Sequence, residues 1–437
     1  MNMASAESIR QMLQNVQTIR RVGRVTQTLG LVIESDGPPA QIGEICEVRT
    51  DSSKDAIAAE VVGFRETRLL LMPLGSTQRI QADSRVVATG RTMEVPVGPQ
   101  MLGRVFDGLG EPADGREPIS PADYYPAHAQ PPPAMSRRRI TEVLPLGIRS
   151  IDGTVTCGRG QRMGIFSGSG VGKSTLLGMI ARNTRADVNV IALIGERGRE
   201  VNEFIDEALG PEGLQRSVIV AATSDKPPLV RLNGAYVATA IAEYFRDRGA
   251  DVLLMMDSIT RFAWAQREVG LAIGEPPTRN GYTPSVFARL PELLERAGMS
   301  DEGSITGLYT VLVDGDDMRE PVADAVRSIL DGHIVLSRDL ATRNHYPPVD
   351  VLESISRLME HITSDDHQDA AGQLRQLIAD YDEAEDLINL GAYEDGSNPD
   401  VDRAIALRKP VLEFLQQQRN ERTDFEQTVA TIEQIVS

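Results

Sequence analysis

The segment that most constrains this chain is the octapeptide Ser167-Gly168-Ser169-Gly170-Val171-Gly172-Lys173-Ser174. It follows a short apolar run at 164–166 and precedes a helical stretch at 175–182. A glycine-rich turn between strand and helix lets backbone N–H groups point inward around phosphate oxygens. The helix N-terminus adds the positive end of its dipole. Lys173 suits the β- and γ-phosphates, and the Ser174 hydroxyl suits Mg²⁺. The strict motif opens on glycine; here Ser167, another small residue, takes that place. The residues expected to contact nucleotide in this loop are Gly168, Ser169, Gly170, Val171, Gly172, Lys173, Ser174 and Thr175.

A loop of this kind needs a sheet to carry it, and the sequence beyond Gly160 has that rhythm. Apolar strand candidates fall at 164–166, 188–194, 218–221, 252–256, 305–313 and 333–336. Helical stretches such as 232–246 and 322–330 lie between them. Alternating strands and helices, with near-continuous apolar strands, predict an α/β core whose parallel sheet is covered on both faces. Ahead of it, residues 23–95 carry short β-type runs at 30–33, 46–49, 57–64, 68–72 and 85–88. Gly, Pro, Asp and Ser punctuate these runs closely, which predicts a small all-β barrel. Ile9, Met12, Leu13, Val16 and Ile19 form the stripe of an amphipathic helix within 1–22. Beyond residue 358 helical periodicity replaces the strands, so the expected order is helix 1–22, barrel 23–95, nucleotide-binding core 96–357 and helical region 358–437. Residues 126–134 are proline-rich and read as an extended connector. The basic run Arg137–Arg139 that follows reads as a solvated loop or a phosphate patch.

Charge and cysteine content narrow the function. With 45 Lys and Arg against 63 Asp and Glu, the formal net charge is −18. That argues against binding driven by bulk attraction to nucleic acid or to an anionic membrane surface. Cys46 and Cys157 are far apart and form no C-x-x-C pair, so neither a disulfide framework nor a thiolate metal site is expected, and the setting reads as a reducing cytoplasm. No apolar stretch approaches the ~18 residues of a membrane span, and no secretory leader is apparent. The five histidines form no H-x-x-x-H pair, which leaves a zinc site unsupported. Trp264 reads as packing.

Two acidic residues complete the chemistry. Asp257 ends the apolar run 251–257, and a carboxylate at the C-terminal end of a parallel strand sits where ligands bind in such sheets. There it can hold Mg²⁺ together with Ser174. Glu196 is the first charged residue after the run 188–194, and ATP hydrolysis needs a carboxylate to orient the attacking water. Glu200 reads as a helix cap.

The octapeptide, Gly195–Val201, Asp257-Ser-Ile-Thr-Arg261-Phe262 and residues 347–356 together resemble the rotary ATPases, the catalytic subunits of F and V type. Within that family, Gly160-Gln-Arg-Met-Gly164, Ala265-Gln-Arg-Glu268, Ile273-Gly-Glu-Pro-Pro277, Gly281-Tyr-Thr-Pro-Ser-Val-Phe287 and residues 290–298 are similar to the ATPases of type III protein export. The flagellar branch is the nearer match. The resemblance implies a RecA-like P-loop core, ATP and Mg²⁺ as ligands, and roles for matching residues. Lys173 and Ser174 bind phosphate and metal, Glu196 activates water, and Arg197 and Arg261 position that cluster. Arg357 matches an arginine finger that serves the neighbouring subunit's site, and Tyr346 matches an aromatic that stacks on adenine. A trans-acting arginine implies a ring, expected to be a homohexamer.

The resemblance also implies partners: a stator-like regulator at the N-terminal helix, a coiled-coil stalk facing Asp314, Asp316 and Asp317, an export gate, and chaperone–substrate complexes. No nucleic acid is among them. The expected place of work is the inner face of the cell membrane, as a peripheral cytoplasmic protein. Residues 392–400 do not reproduce the acidic lever motif of F-type subunits, which disfavours an ion-motive ATPase. A Rho-type RNA translocase lacks support because no basic, aromatic-rich RNA platform is evident. Lys173 and Glu196 together disfavour a non-hydrolysing ring subunit.

Overall fold

The computed structural model describes residues 21–50, 56–313, 315 and 318–437. The helix expected at the N-terminus, and Asp314, Asp316 and Asp317, lie outside the described residues.

Six strands close an antiparallel barrel: β1 (Val22–Leu29), β2 (Val32–Asp36), β3 (Glu44–Arg49), β4 (Ile57–Arg65), β5 (Arg68–Pro73) and β6 (Arg85–Thr92), in the order β1-β2-β5-β4-β3-β6. Alternation decides which faces turn inward. Cys46 and Val48 are buried while Glu47 and Arg49 pair outside at 2.5 Å. Val25, Ile33, Val61, Leu71 and Val86 fill the interior with them. Burial pushes the Cys46 thiol up to about 12, and both cysteines are unpaired. Five of the strands coincide with the apolar runs of the sequence. β1 does not, because Gln27, Thr28 and Leu29 are exposed and dilute its pattern.

The second unit comprises residues 94–268 and 276–437. β7 (Glu94–Val97) and β9 (Asp123–Pro126) form a small antiparallel ribbon. The main sheet holds β8 (Arg104–Asp107), β10 (Arg162–Ser167), β11 (Val188–Ile194), β12 (Ser217–Ala222), β13 (Asp251–Asp257), β15 (Ser304–Leu312), β16 (Gly332–Leu336) and β17 (Val349–Ser356). Their order is β17-β16-β10-β15-β13-β11-β12-β8, with β14 (Gly298–Met299) paired to β15. All eight main strands run parallel except β17, which pairs antiparallel with β16. β8 and β17 were not among the sequence candidates. Both are edge strands, so each lacks the continuous apolar run of a strand buried on both faces.

The helix Pro228–Arg246 packs against β11, β12 and β13 and is buried along nearly its whole length. Arg296, 1% exposed, pairs with Glu243 at 2.6 Å and donates to the Ala127 carbonyl at 2.6 Å, which pins the proline-rich connector. Arg137 adds a 2.7 Å bond to Glu295, and Arg138 a 2.5 Å bond to the Ser300 carbonyl. Two of the three arginines in the basic run therefore clamp the chain to itself.

Helices Asp365–Asn389, Pro399–Leu415 and Phe425–Val436 follow the sheet. The change from strands to helices near residue 358 is a change of secondary structure, not a break in packing. Leu374, Leu377, Phe414 and Ile432 share one hydrophobic core with Ile151, Val155 and Leu177. The join is tight at Gly153, where a Cβ would lie 2.7 Å from the Phe414 ring. Among the described residues no helix is long and apolar enough to cross a membrane.

Candidate active site

β10 delivers the chain to Ser167, and the helix Lys173–Asn183 begins six residues later. Gly170 and Gly172 turn the intervening loop with φ of 77° and 100°, in the left-handed region that glycine enters without steric cost. No side chain caps that helix, so its first N–H groups are available to an anion. Ser174 is exposed at this end, and its hydroxyl has no partner among the described residues.

Three further side chains converge because their strands end at the same edge of the sheet. Ser167 is level with Leu312 on β15, Met256 of β13 with Tyr309 of β15, and Asp257 with Leu193 on β11. Lys173 thus meets Asp257 in a direct ion pair, and its Nζ lies 3.9 Å from Glu196 Oε1. Asp257 is 3% exposed and also accepts a 2.8 Å hydrogen bond from Thr310 Oγ1. Burial, and then the neighbouring Asp257 charge, push the Glu196 carboxyl up to about 7, against the pull of Lys173 and Arg261. Two carboxylates this close cannot both shed their protons without cost.

Arg261 belongs to this cluster. It lies on the helix Ile259–Ile273, which starts just past Asp257, and its stem covers Gly195 so closely that a Cβ there would sit 2.9 Å from its own Cβ. Its guanidinium carbon stands 4.7 Å from the Trp264 ring centroid. Arg197 does not join it. Its side chain is 80% exposed and pairs with Glu200 of its own helix at 3.1 Å, so the expected positioning role within this chain's cluster is not what the geometry shows. Glu200 engages that arginine, not the helix N-terminus.

Tyr346, half exposed, lays its ring against the loop: a Cβ at Gly172 would be 3.6 Å from Tyr346 Cε1. Its backbone is anchored from the helical region, because Gln417 N donates to the Tyr346 carbonyl at 2.9 Å. Buried Gln417 also donates to Gly147 O at 2.9 Å and accepts from Arg149 N at 2.9 Å. Arg419 reaches Thr175 Oγ1 at 3.1 Å. Thr310, Gln417 and Arg419 were missed by the sequence reading. None lies in a phosphate-binding pattern, and the last two approach from roughly 240–270 residues away.

Arg357 is brought to the opposite edge. Leu336, level with Ser167, is paired to Val349, and Gly332 is paired to Ser356. Four residues of strand, about 13 Å, separate those two levels. The Arg357 backbone N–H donates to Asp331 O at 3.0 Å, and Gln161 Nε2 holds Ser356 Oγ at 3.1 Å. The exposed guanidinium makes no ion pair among the described residues.

Residues 147–356 match the ATP synthase alpha/beta family, nucleotide-binding domain; residues 25–90 match that family's beta-barrel domain. Residues 363–434 match the T3SS EscN ATPase C-terminal domain. The chain is 53% identical over 429 residues to the flagellum-specific ATP synthase of Bacillus subtilis, an alignment covering 98% of each. It is also 53% identical over 410 residues to the type 3 secretion system ATPase of Xanthomonas euvesicatoria, covering 94% of this chain and 93% of the relative. The chain belongs to the flagellar and type III secretion ATPases. The assembled ATPase EscN of enteropathogenic E. coli superposes with a TM-score of 0.90 at 44% identity, covering 95% of this chain and 100% of EscN. EscN in complex with its central stalk EscO gives 0.88. As a member of this family the chain is an ATP hydrolase with a nucleotide-binding P-loop core, a β-barrel before it and a helical domain after it.

Proposed function

We propose that this ATPase hydrolyses Mg²⁺-ATP in a homohexameric ring to drive type III export, with flagellar components as cargo. The observation that carries the ring is Arg357, exposed, without an acidic partner among the described residues and at the edge of the sheet opposite its own P-loop. A guanidinium so placed serves a neighbour's nucleotide in a head-to-tail assembly, and stabilisation of transition-state charge in trans is worth about 10³–10⁵ in rate in the systems where it has been measured.

The residues fit the remaining roles. Backbone N–H groups of Gly168–Gly172 and the Lys173 ammonium cradle the β- and γ-phosphates, while the Tyr346 ring offers a face to adenine. Ser174 and Asp257 would hold Mg²⁺, which is commonly bound by one or two protein groups with phosphates and water completing its shell. The metal, when bound, neutralises charge developing on the transferred phosphoryl group. Glu196 orients the attacking water, and its raised proton affinity suits a group that must accept a proton. Arg261 balances the charge of Glu196 and Asp257.

The assembled EscN and its complex with a central stalk support a ring and a stalk partner, which for this chain is a coiled-coil protein on the ring axis. The N-terminal segment takes a stator-like regulator; an export gate and chaperone–substrate complexes complete the partners, at the inner face of the membrane. Affinity purification of the tagged chain from its own cells tests this reading. Recovery of flagellar basal-body export components is expected. Recovery of injectisome components or of ion-motive ATP synthase subunits would overturn it.

A further inference from the structure

Arg261 sits beside Glu196, yet among the described residues no hydrogen bond fixes where its charge points. Its Nε is buried without a partner, and it makes no ion pair among the described residues. What faces the guanidinium is the indole of Trp264, 4.7 Å away, a cation–π arrangement whose strength grows when the pair is shielded from water.

The indole is itself held. Trp264 Nε1–H donates to Tyr282 Oη at 3.1 Å, and Tyr282 Oη–H donates to Glu320 Oε1 at 2.7 Å. The second Glu320 oxygen accepts from Val322 N and Ala323 N, each at 3.1 Å, at the start of the helix Pro321–Ile329. The polarity of this chain is forced by chemistry. An indole N–H can only donate, an ionised carboxylate can only accept, and the tyrosine hydroxyl between them must do both. Tyr282 is 3% exposed, and burial with the Glu320 charge beside it keeps its phenol protonated. A charge-assisted chain of this kind is stiffer than a packed apolar contact. The helix bearing Arg261 is fixed from a second side, since Thr260 Oγ1 accepts from Leu312 N at 2.8 Å at the end of β15.

We propose that Trp264, Tyr282 and Glu320 are positioning residues for hydrolysis, a hydrogen-bonded brace that aims the Arg261 guanidinium at the Glu196–Asp257 pair. This gives a task to the Gly281–Phe287 motif and to the single tryptophan, which the P-loop chemistry leaves unused. The inference rests on the reading of Arg261 as part of the catalytic cluster.

Steady-state kinetics of Arg261→Gln, Trp264→Phe, Tyr282→Phe and the doubles R261Q/W264F and R261Q/Y282F test it in the full-length protein. Tyr282→Phe removes one oxygen and keeps the ring, so it remains readable even where the tryptophan variant folds poorly. In the otherwise wild-type protein, Trp264→Phe and Tyr282→Phe should each lower kcat three- to tenfold, with KM for ATP within twofold. Added to Arg261→Gln, neither should lower kcat further, because the brace acts through that arginine. Fully additive losses, or unchanged kcat in both single variants while Arg261→Gln is impaired, would overturn the brace and leave the arginine's role standing. Wild-type kcat in Arg261→Gln would instead remove the reading on which the brace rests.

Discussion

Replacing Glu196 by glutamine should make the protein more stable while stopping its turnover, and the gain should depend on pH. Burial and the adjacent Asp257 raise the Glu196 carboxyl from 4.5 to about 7 in the folded protein. A group whose folded value lies above its unfolded one opposes folding once it ionises. No penalty exists well below pH 4.5; it grows between about 4.5 and 7, and is constant above that. A shift of this size corresponds to about 3 kcal/mol at pH 8, shrinking to under about 1 kcal/mol at pH 5. Glutamine keeps the shape and carries no charge, so the variant escapes the penalty. At roughly 2 °C per kcal/mol for a large domain, the nucleotide-free variant should melt on the order of 5 °C above wild type at pH 8, with little difference at pH 5. Melting curves in chelator at the two pH values measure this, with ATP turnover assayed on the same samples. Turnover should fall by more than the tenfold that ~1.4 kcal/mol of barrier represents. A variant that melts at or below wild type at pH 8, or by the same margin at both pH values, would refute the electrostatic reasoning.

Substitutions at two other residues probe the site and its scaffold. Tyr346→Ala should raise KM for ATP about tenfold with kcat nearly unchanged, while Tyr346→Phe stays within twofold of wild type, since base stacking on an aromatic is worth about 1–3 kcal/mol; equal KM values for all three would remove the adenine assignment. Arg296→Ala strands the buried Glu243 carboxylate and the Ala127 carbonyl, and should destabilise the protein by about 3–5 kcal/mol in denaturant melts, a loss that a merely surface arginine would not produce.

Legibility in the sequence followed the range of the interactions. The P-loop was readable because strand, turn and helix are contiguous, and Asp257 because an apolar strand ending in a carboxylate marks the ligand edge of a parallel sheet. The barrel was readable from five short β-type runs punctuated closely by Gly, Pro, Asp and Ser. The resemblance implied both Arg197 and Arg261 at the cluster; in this chain Arg197 turns outward to Glu200, and the arginine beside Glu196 is Arg261, 65 residues further along. Thr310 reaches Asp257 only through the β13–β15 register, and threonine in a strand carries no distinctive signal. Gln417 and Arg419 depend on tertiary packing of the last helices over the core. Trp264 read as packing because its pattern was helical and apolar; its N–H partner lies on a separate segment 18 residues away.

Whether the site is completed by the neighbouring copy is decided by mixing two inactive proteins. Arg357→Ala retains an intact P-loop and Lys173→Ala retains an intact arginine, so mixed rings contain interfaces that pair the two. Each protein alone should hydrolyse ATP at well under a tenth of the wild-type rate. Turnover of the mixture, titrated across the ratio of the two at ring-forming concentration, should rise above both and peak near equal amounts. Wild-type turnover by Arg357→Ala alone, or its independence of concentration from monomer to ring in the unaltered protein, would contradict the claim.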